Sequence, residues 1–349
     1  MKANAYDQFS ILFWEDNVMF GGGVSFPLGQ ITTDFLNTDE QDISEIDKRV
    51  REFTTEMRAL FNHKNIDTVI PLQEKLNAVW DVIFTLPFYC DLPLDTHSSR
   101  NLLPMLFADK QKWTEVFQYN SEGNKMFMEF LDKLEYFAES IRNFKGQIAG
   151  MLDLYFENLT RRNSGAYAQA YSNYYRDMSD AGALLFGDLP FEQGFLSKVR
   201  FTPLRHPQDK GKLMIAEEVE FAYLSHFLYT DFYRGLIAGN MPRRCHNCGR
   251  YFLLNKGYDT CYCNNVAPGE KGKTCRKVGA HKKEARMEGK TPARLEYDKV
   301  YNRLKTRRAR GKLSVDEWNA AVALALEYKD KAEEGKISDS QLKEIYDKM

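Results

Sequence analysis

No run of 18 apolar residues occurs in this chain. The nearest approach, residues 78–90, carries Asp81 and Pro87, so no segment reads as a bilayer-spanning helix. The opening Met1-Lys2-Ala3-Asn4-Ala5-Tyr6-Asp7 lacks the apolar stretch of a secretory signal. The chain therefore reads as cytosolic, with no membrane partner. Histidine is scarce, at six in 349 residues, and no H-E-x-x-H, G-x-S-x-G or G-x-G-x-x-G pattern is present. That removes the metalloprotease, nucleophile-elbow and dinucleotide-fold readings. Cysteine is nearly absent from most of the chain: of six, five lie between 245 and 275. A secreted disulfide scaffold is short and spreads its cysteines, whereas a tight cluster in an intracellular chain points to metal binding. What the chain has in quantity is apolar surface, 43% hydrophobic and 13% aromatic residues. It can bury a large core, and disorder over most of its length is excluded.

A net charge of -1 conceals a strong asymmetry. Residues 1–240 carry 23 Lys and Arg against 34 Asp and Glu, residues 241–312 carry 20 against 6, and residues 313–349 carry 5 against 9. An acidic body thus bears a basic module and an acidic tail, which points to a polyanion partner for the basic part.

The pattern predicts a mainly α fold with small β elements: a helical N-terminal domain (1–240), a zinc module (241–290) and a helical tail (291–349). Hairpins are expected near 9–28, broken by Gly21-Gly22-Gly23, and near 198–219 around a His206–Gly211 turn. Ile43, Ile46, Val50, Phe53, Met57, Leu60 and Phe61 recur with helical period, and further helices are expected after Pro71, at 109–118, 124–159 with a break at Gly146 or Gly150, 165–185 and 220–238. The aromatic stripes read as core. The tail holds a small repeat, Gly311-Lys-Leu-Ser314-Val-Asp-Glu317-Trp318 and Gly335-Lys-Ile-Ser338-Asp-Ser-Gln341-Leu342. Each copy combines a glycine helix stop, a capping box and a hydrophobic staple.

The chemistry concentrates in Cys245-x2-Cys248-x14-Cys263-x11-Cys275. Zinc takes four thiolates in a tetrahedron, and a C-x2-C turn places two on one ion. Tyr251–Leu254 reads as a strand, Asn255-Lys256-Gly257 as its turn, and Tyr258–Tyr262 as the return strand. Cys275 opens a helix whose dipole favours a thiolate. Knuckle, hairpin and helix together make a treble clef. Cys261 stands as an alternative to Cys263, and His246 or His281 as substitutes for a cysteine. With four protein ligands no position stays open for catalytic water, so the zinc reads as structural.

Arg243-Arg244-Cys245-His-Asn-Cys248-Gly-Arg-Tyr251-Phe252, Tyr262-Cys263 and Cys275-Arg-Lys resemble the CGNR-type zinc finger of bacterial proteins. In that family a mostly helical N-terminal region precedes the finger, and the resemblance implies nucleic-acid binding or transcription regulation. It is closest over 216–290, and the tail with its repeated G-K-[LI]-S is similar to an uncharacterised bacterial family sharing the finger. The pattern departs in two places: Arg276-Lys277 stand where Gly-Asn-Arg would follow Cys275, and residues 264–274 form a long insert.

Arg276, Lys277, Lys282, Lys283, Arg286, Arg303, Arg307 and Arg308 are the candidate nucleic-acid contacts, with Arg243, Arg244 and Arg250 able to extend the stripe. Phosphate contacts dominate such binding. A solvated face, or docking against an acidic body or protein partner, competes with this reading. Tyr251 and Tyr262 read as core before they read as base-stacking platforms. Two enzyme-like patterns are discounted. Ala267-x4-Gly272-Lys273-Thr274 fits a relaxed phosphate loop but sits between two metal ligands rather than after a buried strand. Arg58-x4-His63 resembles the R-x4-H motif of HEPN-type ribonucleases but has Ala59 where a polar residue usually follows. No catalytic residue is assigned. The expectation is a zinc-binding protein that contacts nucleic acid, with a protein-interaction adaptor and a HEPN-like ribonuclease as alternatives.

Overall fold

The two hairpins expected near 9–28 and 198–219 belong to one sheet. The structure, a computed structural model, describes residues 9–20, 23–63, 69–91, 99–185, 195, 197–206, 209, 211–258, 260–279 and 291–349, with the backbone alone at 62–63, 91, 110–112 and 181–185. β1 (Phe9–Trp14) pairs with β2 (Asn17–Met19), which pairs with β3 (Ser25–Pro27). β4 (Lys198–Arg205) and β5 (Leu213–Phe221) form a second ribbon, from Lys198↔Glu220 to Arg205↔Leu213. β1 also pairs with β5, from Phe9↔Phe221 to Phe13↔Glu217, so the antiparallel order is β3-β2-β1-β5-β4. Alternation then sends Phe9, Ile11 and Phe13 to one face, where all three are buried.

Helices share the core that this face begins. They are α1 (Gln30–Leu36), α2 (Glu40–His63), α3 (Val69–Ile83), α4 (Leu102–Phe107), α5 (Lys110–Phe117), α6 (Glu122–Met151), α7 (Ser164–Leu185) and α8 (Leu224–Ala238). The α2 stripe is as spaced: Ile43, Ile46, Val50, Phe53, Met57 and Leu60 are buried. α6 passes through Gly146 and Gly150 without the expected break and continues as a π turn over Leu152–Phe156. Phenylalanines tie sheet to helices. Phe9 and Phe227 each lie near the Phe88 ring, at 4.9 and 5.0 Å between centroids. Each such side chain adds about 2–3 kcal/mol on full burial.

α8 also caps α1 from a distance. Asp231, fully buried, accepts hydrogen bonds from the Gly29 amide at 2.8 Å, the Thr32 amide at 3.0 Å and the Thr32 hydroxyl at 2.9 Å. The main chains meet closely there. A Cβ on Gly235 would lie 3.1 Å from the Gly29 Cα, and Gly29 itself has φ +87. Only glycine suits either position.

Contacts divide the chain into two units, Met1–Cys245 with Gly249–Cys261, and His246–Cys248 with Tyr262–Met349. The division falls at Cys245 and Cys261, whereas the composition changes at 240. The second unit contains α9 (Pro292–Ala309), α10 (Val315–Glu333) and α11 (Asp339–Asp347). Their shared core is Ala293, Tyr297, Val300, Leu304, Ala325, Leu342 and Tyr346. Both capping boxes of the tail repeat form, Ser314 with Glu317 and Ser338 with Gln341, and Gly311 and Gly335 take φ 69 and 74 at the preceding stops. The fold is mainly α with small antiparallel sheets. Among the described residues, no helix is long and apolar enough to cross a membrane.

Candidate metal centre

The site grows from a two-stranded ribbon. β6 (Met241–Arg244) pairs with β7 (Tyr251–Leu254), from Met241↔Leu254 to Arg244↔Tyr251. The Cys245 amide then donates to the Arg250 carbonyl at 2.8 Å, and the Gly249 amide to the Cys245 carbonyl at 2.8 Å. Gly249, at φ 75, makes the turn. The partner of β7 is thus the strand before the first cysteines, and not the return strand expected at 258–262. The reason is apolar matching. Met241 and Pro242 are buried opposite Leu254 and Leu253, while Tyr258-Asp-Thr-Cys-Tyr262 offers mostly polar side chains. Asn37, the C-cap of α1, braces the ribbon by pairing with both backbone groups of Tyr251, at 2.9 and 2.8 Å. The knuckle ribbon therefore belongs to the first unit.

The other cysteines come from a second hairpin and a helix. Val266 and Thr274 form a bridge, and the Cys275 amide donates to the Asn265 carbonyl at 2.9 Å. A helix opens at Cys275, with the Thr274 hydroxyl accepting from the Lys277 amide at 3.3 Å and the Arg276 amide donating to the Cys263 carbonyl at 3.0 Å. Tyr262 packs its ring on Gly279, where an added Cβ would come within 2.6 Å of three ring carbons, and lies edge-on to His246. That face of Tyr262 is occupied by Gly279.

The sulfurs of Cys245, Cys248, Cys263 and Cys275 lie within 4.8 Å of one another. Cys245, Cys263 and Cys275 are buried and Cys248 is half-buried. Cys248 and Cys263 are 3.7 Å apart at sulfur. A disulfide closes to about 2.05 Å, whereas sulfurs at the corners of a zinc tetrahedron with bonds of about 2.3 Å stand about 3.8 Å apart. The donor set is four thiols with no histidine or carboxylate in the group. It could hold a metal ion, and a soft, closed tetrahedral set fits zinc.

Residues around the sulfurs complete the site. The Asn247 amide donates to the Cys275 sulfur at 3.4 Å. Cys261 lies outside the four-sulfur group. The Arg243 guanidinium donates to its sulfur at 3.2 Å and to the Thr260 carbonyl at 2.8 Å. Sequence reasoning missed both donors. The one available signal was an amide side chain inside the C-x2-C turn.

A family model described as a family of unknown function (DUF6076) matches residues 193–348. No curated protein and no solved structure matches the chain. The matched residues begin just before β4 and include all four cysteines of the group.

The basic residues fall into different environments. Arg276 and Lys277 are exposed in the first turn of the helix opened by Cys275. Lys282, Lys283, Arg286 and His281 lie outside the described residues. On α9, Arg303 donates to the Tyr346 carbonyl, Arg307 to the main-chain oxygen of Met349 at 2.6 Å, and Arg308 lies 4.6 Å over the Trp318 ring. Those three side chains help seat the tail helices. Arg243 is buried, so it cannot extend an exposed stripe. Arg244 pairs with Asp153 at 3.1 Å and with the Tyr251 hydroxyl at 2.7 Å. Burial pushes that hydroxyl above its usual range against the pull of Arg244. Arg250 is exposed. The discounted phosphate-loop pattern folds as a hairpin, with Gly269 at φ +78 and the Glu270 amide on the Ala267 carbonyl. Arg58 is held by Glu135 and Asp132 at 2.9 and 3.2 Å, and the His63 side chain lies outside those described.

Proposed function

We propose that this is a zinc-binding, non-catalytic protein whose basic C-terminal module contacts nucleic acid, in the manner that its resemblance to CGNR-type fingers implies for transcription regulation. Cys245, Cys248, Cys263 and Cys275 hold a structural Zn2+ in a treble clef. The ion's role is to fix the knuckle, the 264–274 hairpin and the helix at Cys275 relative to one another. Arg276, Lys277, Lys282, Lys283, Arg286 and the α9 arginines supply the positive field. The observation that carries the reading is the closed four-thiol group set among 20 Lys and Arg against 6 Asp and Glu over 241–312. A four-thiolate site leaves no position for a substrate or activated water, which argues for scaffold rather than catalyst.

The test is binding of the zinc-loaded protein to random duplex DNA and to RNA across a salt series. Contact with about six phosphates gives a slope of log K against log salt of roughly -5 on duplex DNA. Absence of binding at low salt overturns the nucleic-acid reading. A second reading, a protein-interaction adaptor in a cytosolic setting, has its own observation. Phe201, Leu213 and Ile215 on the β4–β5 ribbon are 70–76% exposed and sit with Val199 and Pro203 on one face. An apolar strand face of that kind suits protein contact.

A further inference from the structure

The insert between the last two cysteines is built as a rigid arm. Its base is closed by the Val266–Thr274 bridge and by the Cys275 amide on the Asn265 carbonyl. Its middle is closed by the Ala267 amide on the Lys273 carbonyl at 2.9 Å. Its tip is a type II turn, with Pro268 leading and Gly269 at φ +78. Ala267 turns inward and is buried, while Val266 is 59% exposed. Both ends are anchored, since Cys263 precedes the arm and Cys275 follows it in the four-thiol group. Ordering of such an element is complete before any partner arrives, which lowers the cost of binding.

Its exposed surface is cationic. Lys271 and Lys273 lie on the returning side, and Arg276 and Lys277 follow directly. Among the described residues, the one ion pair on this stretch joins Lys273 to Glu270 at 3.7 Å, with Lys273 still 60% exposed. Such exposed pairs contribute little, so the field of the arm points outward. Arg303, Arg307 and Arg308, by contrast, are engaged by the tail. The insert has no aromatic residue. Single-stranded recognition leans on aromatic stacking platforms, whereas cations flanking a small aliphatic side chain suit phosphates and sugars along a duplex.

We infer that the 264–274 hairpin is a duplex-DNA backbone contact, with Lys271 and Lys273 on phosphates and Val266 against the sugar edge. This rests on the nucleic-acid reading above and adds the insert, which that reading did not include, to its contacts. The experiment compares wild type, Lys271→Ala/Lys273→Ala and Lys271→Arg/Lys273→Arg, all zinc-loaded, on random duplex DNA and on a single-stranded oligonucleotide across a salt series. Removing two phosphate contacts lowers the magnitude of the duplex slope by about 1.8, the arginine pair keeps it, and zinc content stays the same in all three. Wild-type binding with an unchanged slope in the alanine pair overturns this inference and leaves the broader reading standing. Tighter binding to the single strand overturns the duplex assignment. No wild-type binding at low salt overturns both.

Discussion

Replacing Cys263 by serine is the sharpest test of the metal centre, because Cys261 two residues away is its internal control. Structural zinc sites bind with about 10–16 kcal/mol at neutral pH. Shared over four thiolates, one ligand accounts for about 2.5–4 kcal/mol, or a weakening of about 100-fold to 1,000-fold. The structure sharpens the expectation for Cys263. It is 2% exposed, its sulfur is 3.7 Å from that of Cys248, and its carbonyl accepts the Arg276 amide. A serine oxygen there has a shorter reach and little room to move. Cys261 is outside the group and engaged by Arg243, so Cys261→Ser leaves affinity within about threefold, a shift of about 0.7 kcal/mol. The assay is competition for zinc against a chromophoric chelator of known affinity, followed by Co2+ substitution to read the thiolate-to-metal absorption. Equal affinities in the two serine variants, or a larger loss in Cys261→Ser, would refute the four-cysteine assignment.

The distant cap on α1 yields two further tests. Asp231→Ala strands two buried amides, of Gly29 and Thr32, and is expected to cost about 4 kcal/mol. Urea unfolding read by fluorescence in a Trp318→Phe background isolates the first unit; a loss under 1 kcal/mol would contradict the cap. Burial raises the Asp231 carboxyl to about 6, above its unfolded value near 3.9. Its contribution is therefore largest below about pH 4 and falls by about 3 kcal/mol as pH rises through about 6, a decline that Asp231→Asn should flatten. Gly279→Ala drives a methyl into the Tyr262 ring and should cost about 1–3 kcal/mol, seen as faster zinc release to chelator. Ser314→Ala removes one half of a capping box and should lower second-unit stability by about 1 kcal/mol, with Trp318 fluorescence as the probe.

Local signals in the chain were read well where the physics is local. The Ser314 and Ser338 caps need only residues three apart, and both formed with their glycine stops. The helical stripe from Ile43 to Leu60 needs only its own period. The grouping of Cys245, Cys248, Cys263 and Cys275 follows from spacing, though the choice between Cys261 and Cys263 did not, since both sit on one short bend and the Arg243 side chain separates them. Pairings across long separations were illegible. Nothing in Phe9–Trp14 names β5 as its partner, nor does Tyr251–Leu254 say whether it pairs backward to Met241–Arg244 or forward. Alternation specifies which side chains share a face, and it is silent on which strand lies alongside. The engagement of Arg303 and Arg307 by the chain's last residues escaped for the same reason.

The pairing of β1 with β5 has a consequence for biosynthesis. Phe9 meets Phe221, so the sheet cannot close until more than two hundred residues have left the ribosome. At about 5–20 residues per second that is an interval of about 10–40 s. During it, the first two hairpin strands, rich in Phe, Ile and Trp, lack the neighbour that completes them. High contact order of this sort slows folding and prolongs exposure of sticky edges. The β1–β2 ribbon is thus open to wrong strand partners over that interval, and a pause in translation before residue 221 would lengthen it.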